Sequence, residues 1–366
     1  MINNPPEKSE VEITLIGTGG GYGESVVLKI GINSWVIIDS CINPHTQEPL
    51  AIEYLQSINV DLNHVVLVVC THWHNDHIRG LAKVLSNCPN AEFSFSAITD
   101  LQKFLYLCEL DYTKTKKGSI SSTNEFANCM QIINDRGTNY IRAQSDLVLL
   151  NLEEESIRFE LFSLSPSPKT ITNFDSEISQ LITEFGTRNT AIINRSPNEK
   201  SVALYLKFQN HRVILGSDLE IGKSEHEGWR HIVKSSKVID KNKSELYKIP
   251  HHGSKTGYYS DIFNILIKEG STLKLSPFKG SGLPTDEMLE VYLGHSSDLY
   301  MTSSNIVSKK PKKRDKGIEK IIDRSVVSIS ELKFMHGIIR SRINYLDEKS
   351  IYKTEVFGAG IKFVSN

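Results

Sequence analysis

The sequence predicts a layered α/β fold, and three adjacent stretches predict it. The run Val65-Val66-Leu67-Val68-Val69-Cys70 is short, β-branched and bounded by polar residues, the pattern of a strand buried on both faces of a sheet. Before it, Ala51 to Ile58 places Ile52, Leu55 and Ile58 on one helical face. After it, Ile78 to Leu85 carries Leu81, Ala82 and Val84 at helical spacing.

Between that strand and the second helix stands Thr71-His72-Trp73-His74-Asn75-Asp76-His77. Three imidazoles and a carboxylate at a strand end are the donor types of a divalent transition-metal site, and packing alone has no use for them. His72 and His74, one residue apart on an extended backbone, point to one side and can chelate one ion. Asp76 and His77, one turn further, can hold a second. Two ions roughly 3.5–4 Å apart clamp a phosphoryl or carbonyl oxygen.

In chain order, Val11 to Ile16 reads as a strand ending in the turn Gly17-Thr18-Gly19-Gly20-Gly21-Tyr22-Gly23, with further strands at Ser25 to Ile30 and Trp35 to Ile38. The glycines are not a phosphate-cradling loop, because a strand follows and that mechanism needs a helix N-terminus. Phe93 to Phe95 alternates as a strand. Residues from about 98 to 145 carry helical patches around Leu101 to Leu110 and Asn124 to Ile133, expected as a helical insertion. Leu147 to Leu150 and Ile157 to Leu164 are strand-like, and Asn173 to Glu184 is expected to be helical. Thr187 to Glu199 is a polar loop. Val202 to Phe208 and Arg212 to Leu215 make a hairpin that runs into Gly216-Ser217-Asp218.

A net charge of −1 gives no global sign of nucleic acid, so any such binding must use local patches. Cys41, Cys70, Cys88, Cys108 and Cys129 are odd in number and widely spaced, which argues against a disulfide framework or a thiolate metal site and for a reduced, cytoplasmic setting. No secretory pattern opens the sequence and no run approaches a membrane span, so a soluble protein without membrane contact is expected.

Thr-His-x-His-x-Asp-His after an apolar strand resembles the signature of the metallo-β-lactamase-fold hydrolase superfamily. The resemblance implies a four-layer αββα sandwich and two divalent metal ions. Gly23-Glu24-Ser25 with Trp35 to Asp39 resembles that family's opening strands, where the strand-ending acid lies close to the metal; by itself Asp39 reads equally as a turn cap. Asp218 matches the family's bridging carboxylate, although an aspartate there also suits a helix N-cap. Tyr247-Lys248-Ile249-Pro250-His251-His252-Gly253-Ser254 resembles the end of the metallohydrolase domain in ComEC-type DNA-internalisation proteins. By analogy with the family's Gly-His-Gly pattern His252 is the ligand, with His251 beside it or in proton transfer. Asn198 and Ser201 match the Asn-x-x-Ser of that subgroup. The metal set carried over is therefore His72, His74, Asp76, His77, Asp218 and His252, with Asp76 and His251 as the catalytic residues. Asn198, Ser201, Ser254, Lys255 and Arg79 are the candidates for contact with substrate.

One departure matters. No histidine lies between Ile78 and Asn210, so the His72/His74 ion lacks a ligand many members have. Water, Asn198 or Ser201 fills the gap, or that ion binds weakly, and the incomplete, oxygen-rich set leaves manganese a competitor to zinc.

The expected organisation is a hydrolase domain over 1–305 and, over 306–366, a basic loop with a C-terminal strand extension. The loop contains Lys309-Lys310-Pro311-Lys312-Lys313-Arg314-Asp315-Lys316, and its charge suits either a phosphate backbone or plain solvation. The last strands, Ile338 to Tyr345 and Ile351 to Val364, either pair with the main sheets or stand apart. The function expected is a metal-dependent phosphodiesterase or nuclease acting on nucleic acid or a nucleotide. The alternatives are a hydrolase of small esters, lactones or thioesters, and a partner-dependent component of a bacterial defence-type system.

Overall fold

The computed structural model describes residues 3–19, 23–114, 122–184, 197–304, 336–347 and 349–363. The basic run Lys309 to Lys316 and most of the polar loop after Glu184 lie outside them.

Strands β1 (Glu10–Gly17), β2 (Glu24–Ile30), β3 (Ser34–Ile38), β4 (Val65–Cys70), β5 (Glu92–Ser96) and β6 (Tyr140–Ala143) build a first sheet. A second is built from β7 (Leu147–Glu154), β8 (Ile157–Ser163), β9 (Leu204–Phe208), β10 (His211–Leu215), β11 (Ser244–Lys248), β12 (Ile267–Leu275) and β13 (Leu299–Met301). Of the last strands, β14 (Gly337–Asn344) and β15 (Lys353–Gly358) join the first sheet, and β16 (Ile361–Lys362) joins the second. The strand orders are β15-β14-β1-β2-β3-β4-β5-β6 and β16-β13-β12-β11-β10-β9-β8-β7. β14 runs antiparallel to β1 along its whole length, from Glu10 opposite Asn344 to Gly17 opposite Gly337. Of the two arrangements the sequence leaves open for these strands, pairing with the main sheets is the one adopted.

The helices are α1 (Leu50–Ser57), α2 (Asn75–Ile78), α3 (Leu81–Asn87), α4 (Leu101–Lys114), α5 (Ser122–Arg136), α6 (Pro168–Glu184), α7 (Gly228–Ser235) and α8 (Asp286–His295). Three apolar cores separate four layers. Outside the first sheet, Trp35, Ile37, Val68 and Phe93 pack on Leu55, Leu81, Phe104, Phe126 and Phe174 from α1, α3, α4, α5 and α6. Between the sheets lie Val36, Ile38, Leu67 and Val69 with Leu204, Leu206, Val213 and Leu246. Outside the second sheet, Ile214, Tyr247 and Leu273 meet Trp229 and Ile232 of α7 and Leu289 and Tyr292 of α8. Neighbours such as Ile37 and Ile38 serve different cores because a strand alternates its faces. This is the αββα sandwich expected. α4 and α5 supply the helical insertion, and the same stretch ends in β6, which extends the first sheet beside β5.

β3, β4 and β5 are mutually parallel, as are β10, β11, β12 and β13. Loops at the carboxyl ends of parallel strands are where ligand sites form in α/β sheets. Among the described residues no helix is long and apolar enough to cross a membrane.

Candidate metal centre

Five strand ends supply the site: β3 gives Asp39, β4 gives Thr71 to His77, β10 gives Ser217 and Asp218, β11 gives His251 and His252, and β12 gives Ser276. Past β4 the chain stays extended, so successive side chains alternate. His72 and His74 turn one way. Trp73 turns the other, into the outer core, where its ring lies 4.9 Å from Phe104 and 5.2 Å from Phe174. Helix α2 starts after His74 and carries Asp76 and His77. Gly23 is required here, because a Cβ on it would lie 2.7 Å from the Cys41 Cβ and 2.8 Å from the Asp76 carbonyl oxygen.

Four non-glycine residues at these strand ends have left-handed backbones: Asp39 (φ 58°), Ser217 (φ 44°), His251 (φ 48°) and His252 (φ 52°). Each costs about 1–3 kcal/mol, and such strain persists where the surroundings fix it, most often at functional sites. With Gly253 (φ 73°) the two histidines make a left-handed turn closed by Gly253 N–H donating to Pro250 O at 3.0 Å.

The turn separates the two histidines. His252 is buried and points its Nε2 at Asp76 Oδ2 (3.2 Å) and Asp218 Oδ2 (3.5 Å). His77 Nε2 lies 3.3 Å from Asp218 Oδ1 and 3.9 Å from Asp76 Oδ2. His72 Nε2 lies 3.9 Å from Asp218 Oδ2. Among the described residues three groups have their donor atoms within 4.8 Å of one another: Asp76, His77, Asp218 and His252; His72, His74 and Asp218; and Asp39, His72 and His77. The Asp39 carboxylate is already taken up by His77 and Thr71, which leaves the first two as the metal donor groups. Asp218 belongs to both, the position of a bridging carboxylate. The six metal ligands expected from the sequence are thus brought together.

Hydrogen bonds fix which nitrogen each imidazole presents. His77 Nδ1–H donates to Asp39 Oδ2 at 2.7 Å. His252 Nδ1–H donates to Ser276 O at 3.1 Å. The Thr71 hydroxyl donates to Asp39 Oδ2 (2.6 Å) and accepts from Ser217 Oγ (2.6 Å) and His72 Nδ1 (3.0 Å). A hydroxyl has one proton and two lone pairs, so the Thr71 set is complete and His72 carries its proton on Nδ1. All three rings therefore turn Nε2 to the centre. His72 Nε2, His77 Nε2 and Asp218 Oδ1 are buried and make no hydrogen bond. Buried polar atoms are normally satisfied, so three orphans converging on shared carboxylates fit a cation.

The electrostatics divide the four imidazoles into two pairs. Burial and neighbouring His77 push His72 well below the usual imidazole range, against the pull of Asp218. Burial likewise lowers His74, opposed by Asp76. Burial also disfavours charge on His77 and His252, but Asp218 and Asp76 outweigh it and raise both. In return burial would raise Asp76 and Asp218, and the same two histidines hold both carboxyls below their ordinary range.

His251 stands outside these groups. Its Nε2 lies 2.9 Å from Asn198 Nδ2, and its Nδ1 lies 3.1 Å from Thr256 Oγ1 and 3.3 Å from Glu220 Oε1. The bond from His251 pulls Glu220 below the carboxylate range against the effect of burial. Ser201 is fully buried, and its Oγ makes no hydrogen bond. The Ser254 hydroxyl is engaged in its own turn, accepting from Gly257 N at 3.1 Å. Lys255 and Arg79 are exposed, and the Arg79 charge acts on Glu125 of α5. Sequence reasoning did not single out Thr71, Ser217, Glu220 or Ser276 as site residues, since a hydroxyl or a lone acid beside a motif carries no periodic signal of its own.

No curated protein matches the chain. Among solved structures, human tRNase Z, short form, is 12% identical, covering 65% of this chain and 76% of that one at a TM-score of 0.32. MEM-A1, a subclass B3 metallo-beta-lactamase isolated from a soil metagenome library, is 11% identical, covering 69% of this chain and 83% of that one at a TM-score of 0.33. The family model described as the metallo-beta-lactamase superfamily matches residues 18–265. Since that span is more than half of the chain and takes in every residue of the two donor groups, the chain belongs to the metallo-beta-lactamase superfamily, whose members are metal-dependent hydrolases.

Proposed function

We propose that the chain is a phosphodiesterase or nuclease, akin to the metallohydrolase domain of ComEC-type proteins, acting on nucleic acid or a nucleotide. The observation that carries this reading is the 2.9 Å contact between Asn198 and His251. It joins two sequence features of that subgroup, Asn-x-x-Ser and His-His-Gly-Ser, at the edge of the donor groups. The chain's net charge adds nothing to the choice, and the basic run Lys309 to Lys316 supports it by charge alone.

Asp76, His77, Asp218 and His252 would hold one divalent ion, and His72, His74 and Asp218 the other, as zinc or manganese. What the ions supply when bound is water activated near neutral pH, at a pKa of about 7, and positive charge for the phosphoryl oxygens. Asp76 orients the attacking water on the His252 side of the pocket. His251 accepts from the Asn198 amide N–H at Nε2 and turns Nδ1 to Glu220, which fixes the ring as the group that takes up and hands on a proton at the edge of the pocket. The buried walls around His72 and His77 exclude bulk water, which strengthens each of these interactions.

The test is cleavage of single- and double-stranded DNA and RNA by the purified chain with zinc or manganese, beside Asp76→Asn. Cleavage by the parent alone supports the reading. Turnover of small esters or lactones with no cleavage of any nucleic acid or nucleotide overturns it.

A further inference from the structure

Behind the donor groups, and not used in the chemistry above, lies a buried ion pair between the two sheets. Glu24 opens β2 of the first sheet and Lys248 closes β11 of the second; their side chains are 3% and 2% exposed. Glu24 Oε1 pairs with Lys248 Nζ and lies 3.9 Å from His77 Nδ1. Glu24 Oε2 accepts a hydrogen bond from Ser276 Oγ. Ser276 in turn holds His252, whose Nδ1 lies 3.1 Å from the Ser276 carbonyl and 3.3 Å from its hydroxyl. On the other side Lys248 Nζ donates to Ser217 O at 2.9 Å, fixing the left-handed residue before Asp218.

We propose that Glu24 and Lys248 are positioning residues of the metal centre, locking the half carried by the first sheet to the half carried by the second. The donor groups need both halves, since His77 and Asp76 come from one sheet and His252 and Asp218 from the other. Most of the packing between the sheets is apolar and carries no directional bond. A buried carboxylate and ammonium resist displacement, because each leaves the other unpaired when it moves. The cavity beside them, lined by Glu24, Lys248, Asp39, Thr71 and Ser217, is about 10 Å³, at the lower limit for a single water. At most one water can therefore stand in for a lost partner. A buried ion pair is also a poor stabiliser compared with apolar side chains of the same size, so stability alone does not account for one at this spot.

This inference rests on the metal reading of the pocket and not on the choice of a phosphodiester. It is tested by counting ions in the full chain by equilibrium dialysis against Zn2+, recording the absorption spectrum with Co2+, and measuring Tm in chelator. The variants are Ser276→Ala, Glu24→Gln, Lys248→Met and the Glu24→Gln/Lys248→Met pair. Ser276→Ala keeps the carbonyl that accepts from His252 and removes the hydroxyl that links it to Glu24; it should weaken one of two ions by about tenfold, the lower end for a lost outer partner, and change the Co2+ spectrum while Tm in chelator stays put. Glu24→Gln and Lys248→Met should each reduce two bound ions to one, and the double variant should recover Tm more than it recovers binding. Two ions at parental affinity in Ser276→Ala and in either folded charge variant would overturn the proposal, as would lowered Tm with unchanged binding. A parent chain that binds no ion overturns the pocket reading along with it.

Discussion

Asp39 Oδ2 lies 2.7 Å from His77 Nδ1, with both side chains buried. The same carboxylate accepts from Thr71 N at 2.7 Å through Oδ1 and from Thr71 Oγ1 at 2.6 Å through Oδ2. Burial pushes this carboxyl up, and His77 and Thr71 pull it back. Every partner is a donor, so both oxygens must be acceptors.

Asp39→Asn is therefore not a conservative change. Whichever way the amide turns, its NH2 faces a donor, and either His77 or Thr71 loses its fixing bond. Metal affinity should fall by about 10- to 100-fold, the range for an outer carboxylate that orients a ligating imidazole. Competition with a chromophoric chelator measures it. Parental affinity would mean that Asp39 only caps its turn.

Asp218 serves both donor groups and His74 only one. His74→Ala should leave one tightly bound ion per chain, and Asp218→Ala should leave none. Either change should lower hydrolytic turnover by more than the ~100-fold expected for an outer partner. Metal analysis after dialysis separates the two. Equal loss in both variants would show that the groups do not fill independently.

Much of this was legible because the chemistry is dense in sequence. Val65 to Cys70 could be read as a buried strand from its β-branched run, and His72, His74, Asp76 and His77 as a donor set from their spacing alone. Asp218 and His252 needed a resemblance, because one aspartate after a strand also reads as a cap and two adjacent histidines look alike. Backbone geometry distinguishes the histidines: the left-handed turn over His251, His252 and Gly253 sends one ring inward and the other to Asn198. Glu24 and Lys248 lie 224 positions apart, and nothing local in either marks a partner in the opposite sheet. Helices α7 and α8 are short and bury only three residues each, too few to mark a helical period in the sequence.

The contact between Asn198 and His251 predicts a split between binding and turnover. Asn198→Ala removes the partner of Nε2 and touches none of the six metal ligands. Ion content should stay at the parental number while kcat falls about 10- to 100-fold, less than the ~10²–10⁴-fold a positioned acid or base contributes, because His251 itself is kept. Single-turnover assays at saturating metal read this directly. Loss of an ion in Asn198→Ala would instead make that side chain the substitute for the missing histidine near His72 and His74.

Lys274 carries the last prediction. It is fully buried between the sheets, and its Nζ donates to Ile13 O at 2.7 Å and Ile339 O at 3.2 Å, on strands paired on both sides. Burial pushes this amine well below its usual range, despite Glu12 and Asp298. Lys29 shifts the same way, by burial to about 8. A lowered amine binds fewer protons in the folded chain than in the unfolded one, so stability rises with pH between the folded value and about 10.4. Above about pH 10 the buried tyrosines act with opposite sign. Burial raises Tyr247 and Tyr292, so the unfolded chain loses those protons first and stability falls. Urea unfolding of the parent should therefore show stability climbing from pH 8 to 10. Lys274→Met should flatten the climb by at most about 1.4 kcal/mol per pH unit, the limit for one proton. Equal slopes in parent and variant would mean that Lys274 stays protonated in the folded sandwich, with the two carbonyls compensating its burial.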